Sequence, residues 1–137
     1  MKKYPLIIFL ILVCSTSAYS NEIIYKNCIS GKDGIQLENK KNKDGIKMYD
    51  KFLIKINIAK ASVIIESYVT KEHLVSVKKK NPDFEIPKIP MIRTAKIIFV
   101  DEDKIKYLYL TSEYTINLKD KEIRVDVMEP NYWLKCE

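Results

Sequence analysis

The side chains that could carry out chemistry are few in this chain, and none of them falls in a known catalytic motif. His73 is the only histidine, so a histidine-rich metal site is excluded and zinc chemistry is not expected. A Ser–His–Asp triad would have to use His73, but no serine stands in a Gly-x-Ser-x-Gly turn. A lone histidine beside Glu72 is typical of a surface position. We therefore predict no catalytic residue and expect that the protein is not an enzyme.

The acidic residues and the glycines give no cofactor or metal site either. The run Asp101-Glu102-Asp103 lacks the alternating oxygen ligands and the glycine of a calcium-binding loop, so it is typical of a charged hairpin tip. With only three glycines in the chain, there is no glycine-rich loop for phosphate. We predict no metal and no cofactor. A hydrolase whose acids converge only in the fold is the enzymatic alternative, since any two carboxylates can meet in space.

The N-terminal twenty residues have the order of segments found in a secretory signal peptide. A basic start at residues 1–3 precedes an apolar run at 6–13 and a stretch of mostly small residues at 15–20. The apolar run is shorter than the roughly 20 residues that a membrane-spanning helix requires. We therefore predict a signal peptide, 1–20, and one β domain, 21–137, that is periplasmic or secreted and has no transmembrane helix.

The cysteines predict one disulfide. Cys14 lies in the predicted signal peptide, which leaves Cys28 and Cys136, and an even pair in an oxidising compartment is most simply joined. Pairing removes the free thiolate that a cysteine nucleophile needs. A lipid anchor on Cys14 is an alternative processing route, although the branched Val13 stands where that route requires a small residue.

Apolar and polar residues alternate along most of the chain after residue 20. Phe52, Ile54 and Ile56 point one way while Lys55 and Asn57 point the other. Alternation of β-branched and aromatic residues is typical of half-buried strands. It predicts about eight to ten strands, with a short helical turn as the alternative at 69–74. The candidate segments, some of which are expected to merge, are about 23–29, 35–39, 46–48, 52–58, 61–69, 73–78, 93–100, 104–110, 113–118, 121–128 and 131–136.

Short strands joined by tight turns predict an antiparallel meander. Asp33-Gly34 and Asp44-Gly45 predict type I′ hairpin turns, in which both central residues have a positive φ. A Cys28–Cys136 disulfide requires Cα atoms within about 7 Å, whereas the first and last strands of an open meander lie at opposite edges. The predicted fold is therefore all-β, a meander closed by the disulfide into a small barrel, with a β-sandwich as the alternative.

A proline-rich segment is the first candidate for binding. Residues 81–90 contain three of the five prolines, and proline cannot donate to a sheet, so the segment is predicted to be a long loop between two halves of the meander. Loops of this length are often functional. Phe84, Ile86 and Ile89 are its apolar residues; they could bind a partner, or they could cover one end of the barrel as part of the core.

The aromatic residues are the second candidate. Tyr107, Tyr109 and Tyr114 fall on apolar strand faces, and Trp133 lies near the end of the chain. Aromatic side chains with a polar tip suit a sugar or small-ligand cavity or a protein interface. They suit an ordinary β core equally well, and buried aromatics dominate core energetics.

The C-terminal third resembles the ending of small uncharacterised exported bacterial β-proteins that have a signal peptide and a C-terminal cysteine. The residues that carry the resemblance are 114–123, which include Tyr114-Thr115-Ile116-Asn117, and 132–136, which end on Cys136. In such proteins a Tyr-x-Ile-Asn strand turns into a second strand. Lys119-Asp120 replaces the tight glycine turn common in that pattern. The resemblance implies export, β structure and a disulfide, and no activity.

The net charge indicates which class of partner to expect. The formal net charge is +6, and two of the lysines, Lys2 and Lys3, lie in the predicted signal peptide. Because acidic residues are interspersed with the remaining lysines, we expect a solvated surface and no nucleic-acid partner. The predicted function is an exported, non-enzymatic binding protein for another protein or a small apolar ligand. Enzyme inhibitors and immunity proteins share this size and compartment, and a small-ligand carrier is the alternative.

Overall fold

The computed structural model describes residues 22–125 and 133–137, which form an all-β fold with a single α-helix among the described residues. The α-helix, α1, spans Lys71–Lys80, and a 3-10 helix spans Leu37–Asn39. The strands are β1 (Ile23–Tyr25), β2 (Ile29–Ser30), β3 (Tyr49–Asn57), β4 (Ser62–Val69), β5 (Met91–Val100), β6 (Lys104–Tyr109), β7 (Ser112–Asn117), β8 (Glu122–Val125) and β9 (Trp133–Lys135).

All nine of these strands lie in one curled antiparallel sheet. Their order is β1-β3-β4-β5-β6-β7-β8-β9-β2, so β3 to β9 form a meander in which each strand pairs with the next. The sheet has the shape of a half-barrel. Its two outermost strands, β1 and β2, both come from the N-terminal segment of the domain. β1 pairs with β3, and β2, the next strand in the chain, pairs with β9. The predicted all-β class and antiparallel meander are confirmed.

The alternating pattern in the sequence separates the inner face of the sheet from the outer one. Ile54 pairs with Ile65, and Ile56 pairs with Val63, so apolar positions line up across neighbouring strands. Successive side chains of a strand point to opposite faces, and the apolar set is thereby buried together. The core is on the concave side, where the largest fully buried side chains are Ile54, Ile56, Ile105, Ile116, Val63 and Cys28.

The two ends of the described domain meet at the disulfide. The sulfur atoms of Cys28 and Cys136 lie 2.08 Å apart and their Cα atoms 4.0 Å apart. Beside them, Lys26 and Glu137 exchange two backbone hydrogen bonds, of 3.3 and 2.9 Å. The predicted closure of the meander by this cysteine pair is confirmed.

Two of the predicted strands are wrong. Segment 73–78 lies within α1, and segment 35–39 contains the 3-10 helix, whose Leu37 is buried. The signals that override the strand pattern in α1 are at its ends: the Thr70 hydroxyl accepts a hydrogen bond from the His73 N–H, and three lysines occupy the last turn. An N-cap and C-terminal cations stabilise a helix at just these positions.

Four other predicted strands are only partly present. Segment 23–29 is divided between β1 and β2, and residues 26–28 belong to neither strand. Within segment 46–48, Lys47 makes one isolated bridge to Lys41. Segments 121–128 and 131–136 contain β8 and β9. Their residues 126–128 and 131–132 lie outside the described residues, as does the predicted signal peptide.

The predicted type I′ turns are also wrong. Gly34 and Gly45 have positive φ values of 68° and 78°, but neither Asp33 nor Asp44 does. The second loop is a three-residue connection: the Asn42 N–H donates to the Ile46 carbonyl, and the glycine takes the left-handed position. The Asn42 side chain determines this form, because its Oδ1 accepts hydrogen bonds from the N–H groups of Asp44 and Ile46.

Candidate functional site

The concave face of the sheet forms one side of a cavity of about 370 Å³ that opens to solvent. Its walls come from most of the strands and from the segment that joins β2 to β3. The curvature of the half-barrel brings these elements around a common space. The lining residues are Ser30, Lys32, Leu37, Lys40, Ile54, Ile65, Arg93, Tyr107, Tyr109, Tyr114, Ile123, Val125 and Leu134. We call this space the interior cavity.

Three tyrosines of the predicted aromatic face share one wall of the interior cavity. Tyr107 on β6 pairs directly with Tyr114 on β7, and their rings stack with centroids 4.9 Å apart and planes within 5° of parallel. Tyr109, two residues along β6, lines the same space. The fourth predicted member, Trp133, lies in β9, and its side chain is outside the described part of the structure.

The hydroxyl of Tyr107 is the most buried titratable group of this wall. The side chain is 2% exposed. Burial, and to a lesser degree the neighbouring Tyr114, raises the pKa of Tyr107 well above its usual range, because a phenolate would lose its hydration there. Tyr107 is therefore a neutral phenol at physiological pH and contributes apolar surface with one polar tip.

Cationic side chains stand at the edge of the interior cavity. Arg93 reaches it from β5, whereas Lys32 and Lys40 reach it from the segment between β2 and β3. The Lys40 ammonium lies 3.1 Å from the Asp33 carboxylate. The backbone N–H of Ile35 and the Lys40 ammonium both donate to that carboxylate and lower the pKa of Asp33. Among the described lining residues there are three cations and no acid.

A second cavity, of about 420 Å³, lies under α1 and the proline-rich segment 81–90. Residues of β3, β4 and β5 form its other walls, and Arg93 lines both cavities. The Tyr49 and Phe52 rings meet edge to face at 6.2 Å on its β3 side. Its full lining is Tyr49, Phe52, Ser67, Val69, His73, Leu74, Val77, Phe84, Glu85, Pro87, Met91 and Arg93.

The proline-rich segment is a loop, as predicted, since residues 81–90 contain no helix or strand. Its three predicted binding residues are placed differently from one another. Phe84 is half-buried and lines the second cavity. Ile86 is 55% exposed. Ile89 is half-buried and lines neither cavity. The loop thus covers the second cavity with Phe84 and presents Ile86 to solvent.

His73 faces the second cavity and is held by an amide. Its Nδ1 lies 3.1 Å from the Nδ2 of Asn42. The Asn42 Oδ1 already accepts two backbone hydrogen bonds, which leaves Nδ2 to donate, so His73 Nδ1 is the acceptor. Ser67 lines the same cavity, but no hydrogen bond joins it to His73 within the described structure. The expectation that His73 has no catalytic role stays a prediction.

Arg93, Lys32 and Lys40 are the site residues that sequence reasoning missed. For Arg93 a signal existed. The inner-face positions of β5 are 91, 93, 95 and 97, and Met91, Ala95 and Ile97 are apolar while Arg93 is charged. A cation in the middle of an otherwise apolar face is the kind of exception that marks a site. The two lysines carry no comparable signal, because they lie in a lysine-rich connecting segment.

Comparisons with protein-family models, with curated proteins and with solved structures match nothing to this chain. Within residues 22–125 and 133–137, no cluster of three or more His, Cys, Asp or Glu side chains is arranged to hold a metal ion. The same residues include no helix with the length and apolar character needed to cross a membrane.

Proposed function

We propose that this chain is an exported, non-enzymatic binding protein that holds a small apolar ligand inside its half-barrel. The observation that carries the proposal is the interior cavity of about 370 Å³, whose walls are mainly aliphatic and aromatic. Small-molecule sites are typically cavities of about 300–1,000 Å³ with apolar walls and a few polar groups. Cys28 and Cys136 lie at the distance of a disulfide bond, which is compatible with export.

A carrier and an inhibitor or immunity protein make different demands on such a scaffold. A carrier needs space inside the sheet, whereas an inhibitor needs a filled core and an exposed loop that binds the partner. The interior cavity favours the carrier. The exposed Ile86 is what an inhibitor would use, but its neighbour Phe84 is turned into the second cavity and so reduces the apolar surface of that loop.

The test is binding of a small neutral apolar fluorophore, 1-naphthylamine, to the purified protein. Wild type is expected to bind it saturably at one site. Ile65→Trp places an indole in the interior cavity, because Ile65 lines it and is only half-buried, and is expected to weaken binding at least about tenfold. Ile64→Trp is the matched control, since Ile64 is the neighbouring residue of β4 on the opposite face.

Two results would overturn the proposal. One is the lack of saturable binding by wild type. The other is unchanged binding by Ile65→Trp when its unfolding transition shows that the variant is folded, because the fluorophore would then be bound elsewhere. Equal weakening by both tryptophan variants would count against the interior cavity in the same way.

A further inference from the structure

Arg93 occupies a position in the sheet that is otherwise apolar. It pairs with Ile65 on β4, which in turn pairs with Ile54 on β3, so the three side chains form one row across the concave face. All three line the interior cavity. Ile54 is 1% exposed, Ile65 is half-buried and Arg93 is exposed, so the row runs from the closed part of the cavity to its mouth.

The guanidinium of Arg93 is charged at every physiological pH, and among residues 22–125 and 133–137 it has no hydrogen-bond or ion-pair partner. The charged side chains that line a cavity with it are Lys32 and Lys40 in the interior cavity and Glu85 in the second cavity. Lys40 is paired with Asp33. Lys32 also has an interaction partner. Within residues 22–125 and 133–137, Arg93 is therefore the cation of the interior cavity that has none.

We propose that the ligand of the interior cavity is a single-chain amphipathic anion, whose charged head group binds Arg93 and whose apolar tail lies among Ile54, Ile65 and the tyrosines. This inference rests on the proposed function and names its ligand class. A planar guanidinium binds carboxylates and phosphates through paired hydrogen bonds. The aliphatic and aromatic walls remove the tail from water.

The size of the interior cavity sets the length of the tail. At roughly 30 Å³ for each water-sized unit, a cavity of about 370 Å³ holds about a dozen heavy atoms. A tail of about twelve carbons therefore fills the space while the head group remains at the mouth. Two-chain lipids exceed this volume.

The experiment measures the dissociation constants of three probes that share one tail and differ in the head group: dodecanoate, dodecyl phosphate and dodecanol. Wild type is expected to bind at least one of the anions about threefold or more tightly than dodecanol, since an ion pair with an exposed guanidinium adds about this much. The tighter of the two anions identifies the head group as a carboxylate or a phosphate. Anion binding is expected to weaken as salt screens the exposed cation, and dodecanol binding is not.

Arg93→Met removes the charge and retains an unbranched apolar side chain, and it is expected to abolish the preference for the anion while leaving dodecanol binding unchanged. Arg93→Lys is expected to restore part of the preference. Lys60→Met is the matched control, because Lys60 is an exposed cation in the turn between β3 and β4 and lines neither cavity. That variant is expected to bind all three probes as wild type does.

Equal affinity of wild type for the anions and dodecanol would overturn the inference, as would an undiminished preference in Arg93→Met. Both results leave the proposed function intact, because dodecanol and the naphthylamine fluorophore still report binding inside the half-barrel. Failure of wild type to bind any apolar probe would instead overturn the proposed function, and the ligand class with it.

Discussion

At the scale of single residues, the fold depends on a few side chains held in the left-handed backbone region. Four described residues other than glycine have a positive φ: Asn27, Ala61, Leu110 and Lys121. Three of them stand at the ends of hairpin loops, where the chain must reverse within a few residues. A side chain with a Cβ costs about 1–2 kcal/mol in this region. These loops therefore store strain that the packed sheet offsets.

Leu110 is the clearest case for a test, because it has φ 54° and is 80% exposed at the tip of the β6–β7 hairpin. Leu110→Gly is expected to raise the free energy of unfolding by about 0.5–1 kcal/mol, as the relief of strain exceeds the added entropy of the unfolded chain. Urea unfolding measures the change. Leu110→Ala retains the Cβ and should give no such gain; an equal gain there would show that loss of exposed apolar surface is the cause.

At the scale of elements, the connection between β4 and β5 places a helix against an otherwise β molecule. Helix α1 buries only Leu74. Its stability therefore depends heavily on its ends. Thr70 is 4% exposed and makes two hydrogen bonds: its hydroxyl accepts from the His73 N–H and donates to the Lys47 carbonyl. One side chain thus caps the helix and fastens it to the chain before β3.

Thr70→Ala is expected to lower the free energy of unfolding by about 1–2 kcal/mol, because it removes the N-cap and the hydrogen bond to the Lys47 carbonyl. The measurement is again unfolding in urea. Thr70→Ser retains the hydroxyl and should recover most of the loss. If serine and alanine are equally destabilising, the lost methyl contact is responsible and the two hydrogen bonds contribute little.

At the scale of the whole molecule, the N-terminal segment holds the curled sheet together. β1 pairs with β3 and β2 pairs with β9. Neighbouring parts of one segment therefore pair with the strands at both ends of the meander. The disulfide lies between them and spans a sequence separation of 108 residues. The outermost strands of the sheet are therefore short, three residues in β1 and two in β2, and short edge strands limit the edge-to-edge pairing that leads to aggregation.

Replacing both cysteines, Cys28→Ala with Cys136→Ala, is expected to lower the free energy of unfolding by about 4–5 kcal/mol. The reason is that a cross-link closing about 100 residues restricts the unfolded chain. Unfolding in urea, with and without reductant, measures the effect. Reductant should lower the stability of wild type toward that of the double variant and leave the double variant unchanged. An effect of reductant on the double variant would contradict this explanation.

Much of the fold was predictable from the sequence, because strand formation depends on local pattern. The alternation in 52–58 and 61–69 identifies β3 and β4 and assigns Ile54 and Ile65 to the same face. The cysteine count identifies the pair Cys28–Cys136. The helical turn given as an alternative at 69–74 overlaps the start of α1. The rest of α1 was assigned to a strand because Val75 and Val77 favour one, and the capping signals at Thr70 and the lysines of the last turn outweigh them.

The candidate site was predictable only in part. Sequence alternation by itself determined that Tyr107 and Tyr114 lie on an apolar face, but that face suits a filled core and a cavity equally well. Only the tertiary structure shows that they do both, since Tyr107 belongs to the buried core and also lines the interior cavity. The volume of a cavity depends on how far the sheet curls and on which strands come opposite each other. The same curvature brings Arg93 and two lysines from a distant segment to one mouth. Periodicity is a property of neighbouring residues, whereas a cavity is a property of strands far apart in the chain.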